Sequence, residues 1–407
     1  MEYILVVNNL IALYVLYLGC RKFQYFYDIR FVIIVAWYLN FGLRPLFYDE
    51  QLLIFHWFNF DAVEYMFSIA FSYIFVSFMF LFCGRNVRVV YQNSFFISRA
   101  AQILLFIMVI IGASVALIQT ESNGGVYENR ILANQNAVGN GIATFIRMIP
   151  FAALSLMAYT ETNRYLILAG AACLLPSSVL IGSRNDTLSL LIILGYCYRD
   201  RISAKMTVAI LGIAAVVMYL MYGMKEQLLI VDGPFDNFML ILNNSTMTFD
   251  GSEWFAQALK LPALNLGIIP YFESIMYTYI PRALWEGKPV VYGQAVSEYY
   301  LSMREIPIEP FTGTFPVGLM AENFESFNIF FILILPLFMR ILNNIIRLIL
   351  CTRNLIAAAV GAAYLLSLNN PIVVSRSFSD ALSLFLFYII LNYFLIFAST
   401  RKIGFKK

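Results

Sequence analysis

Apolar residues in this chain come in long blocks, separated by short stretches that hold most of the charge. Most blocks are long enough, at roughly 17 to 25 residues, to cross a hydrocarbon core as α-helices. A lipid-embedded backbone must satisfy its own hydrogen bonds, so helices are the form they take. The blocks predict eleven spans at roughly 3–20, 31–48, 63–83, 100–118, 142–160, 165–181, 186–198, 206–223, 326–346, 354–373 and 381–399. Two are irregular: the second is interrupted by Arg44, and the seventh is short.

Two segments break the pattern. TESNGGVYENRILANQNAVGNG dominates a predicted external loop over 119–141. A second loop, 224–325, holds eight of the thirteen prolines and twelve acidic residues. Its aromatic and apolar content predicts order, and long ordered loops tend to carry function. Within it FDGSEWFAQALKLP and PYFESIMYTYIP read as short amphipathic helices lying at the membrane interface, anchored by Trp254 and Tyr277.

Composition sharpens this into a class. A 407-residue chain that is 61% hydrophobic and 13% charged, with mean hydropathy +0.76, has too much apolar surface for a water-soluble protein. The expectation is an all-α polytopic membrane protein with one integral domain, 1–407, and one large external loop carrying short helices. Seventeen of the 27 basic residues fall on one side of the predicted spans with only Asp28, Glu161 and Asp200, which makes that side cytoplasmic and the chain N-out, C-in. The first block has no basic residue before it and Arg21 and Lys22 after it, the polarity of a first span rather than a signal peptide. The five cysteines sit in spans or at cytoplasmic ends, and no Cys or His cluster offers metal ligands. Neither a metal or other cofactor nor a nucleic-acid partner is expected.

Ten basic residues lie on the other side. Arg44, Arg147, Arg184 and Arg376 stand within or at the outer mouths of apolar blocks, where a guanidinium costs about 2.5–3.5 kcal/mol at a helix centre. Each could pair with a carboxylate such as Asp186 or Asp380, or snorkel to headgroups. Several converging on one face would instead suit bidentate capture of a lipid-borne phosphate or diphosphate. Arg130, Arg184 and Arg282 are each followed by ten residues and a glycine, and in the two loop cases the glycine can let the backbone turn around an anion.

The sequence resembles the O-antigen polymerases, the Wzy-type oligosaccharide repeat unit polymerases of bacterial surface polysaccharide synthesis. FGLRPLF, GSRND, IPRALWEGKPVVYG and TGTFPVGLMAENFESFN carry the likeness, together with the plan of many spans and two arginine-bearing external loops. The large loop lacks a histidine, unlike the loop expected of the related O-antigen ligases. The resemblance implies a GT-C-like bundle in the bacterial inner membrane. It further implies a glycosyltransferase that passes a growing glycan from undecaprenyl diphosphate to an incoming lipid-linked repeat unit at the outer face. Undecaprenyl-diphosphate-linked oligosaccharide, membrane lipids and a regulator of chain length are the implied partners. The donor already carries the energy, so no nucleotide is needed, consistent with the absence of a GxxxxGK[ST] loop.

Such a reaction asks for cations at the leaving diphosphate and a base at the acceptor hydroxyl. Arg282 leads for the diphosphate, with Lys288 beside it and Trp285 for a sugar face; Arg130, Arg147, Arg184, Arg376 and Arg44 are further substrate contacts. Glu322 is the preferred base, with Glu273 and Asp250 as alternatives, each set against the plainer reading of a solvated loop carboxylate. His56 reads as an interfacial residue. A flippase or transporter of the same lipid-linked oligosaccharide, or an O-antigen ligase-like glycosyltransferase, is the alternative; a transporter needs no hundred-residue loop and would more often show repeat symmetry.

Overall fold

The computed structural model describes residues 2–23, 29–47, 62–82, 99–122, 141–160, 163–180, 184–198, 251–261, 265, 299, 319–351 and 360–362. Among them every regular element is a helix. In chain order these are α1 (Glu2–Phe23), α2 (Ile29–Trp37), α3 (Ala62–Phe82), α4 (Arg99–Ser122), α5 (Gly141–Tyr159), α6 (Arg164–Leu180), α7 (Arg184–Cys197), α8 (Gly251–Lys260), α9 (Leu319–Phe327) and α10 (Phe331–Cys351). Four stretches are long and apolar enough to cross a membrane: Tyr3–Lys22, Val63–Phe82, Ala101–Ile118 and Met320–Ile341. The 21 residues of α3 rise about 31 Å, the thickness of a hydrocarbon core. Broad outward faces are apolar, as on α1, where Ile4, Leu10 and Tyr14 are all exposed. This is a membrane protein by composition, helix length and surface. The predicted spans at 206–223 and 381–399 lie outside the described residues, as does nearly all of 354–373.

The helices gather into two packed groups. In one, α4 to α7 surround a core of Leu105, Val109, Leu154, Met157, Leu174 and Ile193. Close approach is its device: a Cβ on Gly112 would come within 2.7 Å of Pro150, and one on Gly170 within 2.9 Å of Leu154. The stacked rings of Tyr159 and Tyr196, 5.9 Å apart, join the C-terminal ends of α5 and α7. Arg147 on α5 and Arg184 at the start of α7 therefore belong to the opposite end of this group.

In the other group, α1, α2, α3, α8, α9 and α10 share a core of Ile33, Trp37, Tyr65, Phe75, Phe255 and Phe331. Lys22 lies over the Phe80 ring and donates to the Phe80 carbonyl at one end. The first turns of α1 and α3 mark the other end, and there the second predicted span changes character. After Trp37 the helix widens into a π-turn, Tyr38–Leu43, and then tightens into a 3-10 turn, Arg44–Phe47. Pro45 is the cause: it has no N–H to give the Phe41 carbonyl four residues back, and its ring would clash with that carbonyl. The Arg44 N–H reaches Leu39 O instead, one residue further than in an α-helix.

Candidate functional site

The widened turn frees carbonyls, and α1 supplies their partners. Asn8 Nδ2 donates to Phe41 O at 2.8 Å and Asn9 Nδ2 to Gly42 O at 2.9 Å. Tyr73 of α3 donates in turn to Asn8 Oδ1 at 2.8 Å. Gly42 permits this contact, since a Cβ there would stand 2.6 Å from that of Ala12 on α1. The turn thereby aims two side chains, Asn40 and Arg44, at α8.

Helix α8 belongs to the large predicted loop, yet residues 251 to 258 are all buried. Its first residues each meet a different element. The Gly251 N–H donates to Asn40 Oδ1 at 2.9 Å, so a side chain from another helix caps α8. The Ser252 hydroxyl donates to Glu253 Oε2 at 2.7 Å, which leaves Tyr65 OH, 3.1 Å away, as donor to Ser252. Ser68 donates to the Ser252 carbonyl at 3.2 Å. Glu253 Oε1 accepts from Arg44 Nε at 2.8 Å, with the two side chains 0% and 1% exposed. Phe255, fully buried, meets Phe41, Phe324 and Phe331 edge-on at centroid distances of 6.3, 5.9 and 5.8 Å. Ser68 stands six residues inside α3 and Asn8 six inside α1, so this network lies roughly 9 Å below the helix starts. Irregular and polar backbone at such depth is tolerated because protein surrounds it.

Helix α9 packs on α8 and adds Glu322, Asn323, Glu325 and Ser326, all buried. Ser326 donates to the Glu322 carbonyl at 3.1 Å. Burial and the nearby Glu325 carboxylate push the phenol of Tyr299 above its ordinary value, so it stays protonated and able to donate at neutral pH. Helix α9 ends at Asn328, whose φ of 52° matches the φ of 50° at Asn265; asparagine tolerates this left-handed region. Asn328 Nδ2 approaches Asn265 Oδ1 at 3.4 Å.

Among the sequence candidates, the structure brings Arg44 and Glu322 to this end of the group built around α8. The carboxylate that meets Arg44 is Glu253, 209 residues away, rather than Asp186 or Asp380. GSEWFAQALK forms the expected helix but does not lie at the interface: Trp254 is 3% exposed and packed in the core. The structure gives Glu322 a buried position on α9 in place of a solvated one. Arg147 and Arg184 share one end of the α4 to α7 group, away from the Tyr159 and Tyr196 rings. Arg130, Glu273, Arg282, Trp285, Lys288 and Arg376, together with Asp250 and His56, lie outside the described residues. No group of three or more metal-ligating side chains occurs among the described residues. Sequence reasoning missed Asn8, Asn9, Asn40, Tyr65 and Ser252; the adjacent amides Asn8 and Asn9 inside an apolar block were a legible sign, because a side-chain amide in a span usually bonds a neighbouring helix. No protein-family model, curated protein or solved structure matches the chain.

Proposed function

We propose that the chain is a polymerase of lipid-linked oligosaccharide repeat units, a multi-pass glycosyltransferase of the O-antigen polymerase type. On this reading it has about eleven spans in a GT-C-like bundle in the bacterial inner membrane, N-terminus outside and C-terminus inside. One observation carries the reading: the large loop is tied into the bundle at two places, through the buried helices α8 and α9, which pack on each other. Glu273, Arg282, Trp285 and Lys288 all fall between those ties. A transferase acting on a membrane-anchored diphosphate needs such a tethered cationic segment at the bilayer surface. A transporter needs none.

In the reaction, the acceptor hydroxyl of the incoming unit attacks the anomeric carbon of the growing glycan. The bond from that carbon to the diphosphate oxygen breaks, and undecaprenyl diphosphate leaves with the electron pair. Arg282 and Lys288 take the developing charge, Trp285 stacks on a sugar, and Arg130, Arg147, Arg184 and Arg376 supply further phosphate and glycan contacts. A carboxylate receives the hydroxyl proton; Glu322 is favoured because its surroundings exclude water, with Glu273 and Asp250 as the other candidates.

The test is purified full-length protein in lipid nanodiscs, given undecaprenyl-diphosphate-linked repeat units and no nucleotide sugar, read as a ladder on a gel. Polymer is expected, with Arg282→Ala slower by about 100- to 1,000-fold. Absence of polymer, with labelled lipid-linked oligosaccharide crossing vesicles that contain the protein, would replace this reading with the transporter one.

A further inference from the structure

We infer that Arg44 and Glu253 are positioning residues, a buried lock that holds α8 permanently inside the bundle so that the large loop stands over the reaction site, and that Arg44 does not touch the diphosphate. The inference rests on the polymerase reading for what is being positioned, and on geometry for the lock itself.

Arginine at the mouth of a span invites assignment to an anionic substrate, but the surroundings of Arg44 fit a different task. Its side chain is 1% exposed and its Nε–H is directed at Glu253 Oε1. The second carboxylate oxygen is held by Ser252, which Tyr65 holds in turn. At Nε a diphosphate would have to displace a carboxylate already oriented from both sides. A nearby cavity among the described residues, lined by Trp37, Asn40, Phe41, Gly251 and Met320, measures ≈ 20 Å³, room for one water, and neither Arg44 nor Glu253 lines it.

Positioning explains the rest of the arrangement. Gly251, Ser252, Glu253 and Phe255 together tie α8 to the π-turn, the 3-10 turn, α3, α9 and α10. Five residues after α8 ends comes Asn265, and from there the loop with Arg282 departs. Fixing α8 therefore fixes the chain a few residues before that loop begins, while the packing of α9 on α8 holds Leu319, where it ends. A residue whose loss shifts a catalytic loop by an ångström lowers the rate without meeting the substrate.

The experiment has two arms. A Cβ at Gly251 would lie 3.6 Å from the Cβ of Asn40, within the span of a disulfide, so Asn40→Cys with Gly251→Cys can be oxidised without moving α8. Oxidised protein is expected to form the cross-link in high yield, by mass spectrometry, and to polymerise within about twofold of its reduced form. Loss of activity on oxidation, restored by reductant, would overturn the lock, because α8 would have to move during turnover. In the second arm, Arg44→Met alone leaves Glu253 buried without its cation and is expected to abolish accumulation or activity. Arg44→Met with Glu253→Leu removes both charges and is expected to recover thermal stability, with KM for the lipid-linked unit within about threefold of wild type and kcat within about tenfold. A double variant as stable as wild type that still makes no polymer, or whose KM rises by more than tenfold, would show that Arg44 contacts substrate. Cross-link yield and stability need no activity, so a wild-type chain that makes no polymer would count against the polymerase reading and leave the lock to be judged by those two readouts.

Discussion

The two packed groups of helices bury comparable apolar cores and use their polar side chains differently. In α4 to α7, Ser155, Thr160 and Ser178 donate to carbonyls three or four residues back in their own helices. In the group around α8, Ser68 and Ser72 also donate to carbonyls of their own helix, but Asn8, Asn9, Asn40, Tyr65 and Arg44 add bonds across elements 33 to 211 residues apart in sequence. Lipid tails are as apolar as leucine, so apolar area alone gives helices little reason to associate in a bilayer; close packing or interhelical polar bonds must supply it. The first solution suits helices that are apolar throughout, as Gly112 against Pro150 illustrates. The second is required where a polar loop segment is drawn into the bundle, because Ser252, Glu253 and Gln257 cannot stay buried without partners.

Five substitutions probe that contrast. The largest effect is expected from Arg44→Ala or Glu253→Ala, each of which strands a buried charge; about 3–5 kcal/mol of stability should be lost, read as a failure to accumulate or a collapse of the thermal transition in detergent. Gly251→Ala should cost about 1–3 kcal/mol, since its Cβ would sit 2.5 Å from Asn40 Oδ1 and must push the cap aside. Asn9→Leu removes the donor to Gly42 O and should cost about 0.6–1.7 kcal/mol, the range of interhelical hydrogen bonds in membranes. Ser178→Ala, in the other group, loses only a bond to its own helix and should stay within about 0.5 kcal/mol of wild type. An Asn9→Leu effect no larger than that of Ser178→Ala would erase the distinction between the groups.

The helical, membrane-spanning character of the chain was legible in the sequence, because a block such as Ala62–Phe82 announces its own helix through length and hydropathy alone. Predicted span boundaries over α1 and α3 to α7 fall within a few residues of the helices observed. The break in the second span was legible in principle, since Pro45 removes a donor and crowds the carbonyl of Phe41. The partner of Arg44 was not. Twelve carboxylates share the large loop, and nothing local to Glu253 marks it as the one that enters the bundle. GSEWFAQALK was read as interfacial because one of its faces is polar, and that face turned out to bond inward to Arg44, Tyr65 and Ser68. Periodicity reports that a helix has two faces; it does not say whether the polar one meets water or other polar side chains.

Burial of α8 by that inward-facing polar network is what every later step depends on, and hydrogen exchange measures it directly. In lipid nanodiscs, the backbone amides of residues 251–258 are expected to exchange as slowly as those in the middle of α3. Exchange within seconds, at the rate of a surface helix, would contradict a loop segment locked in the bundle by Arg44 and Glu253.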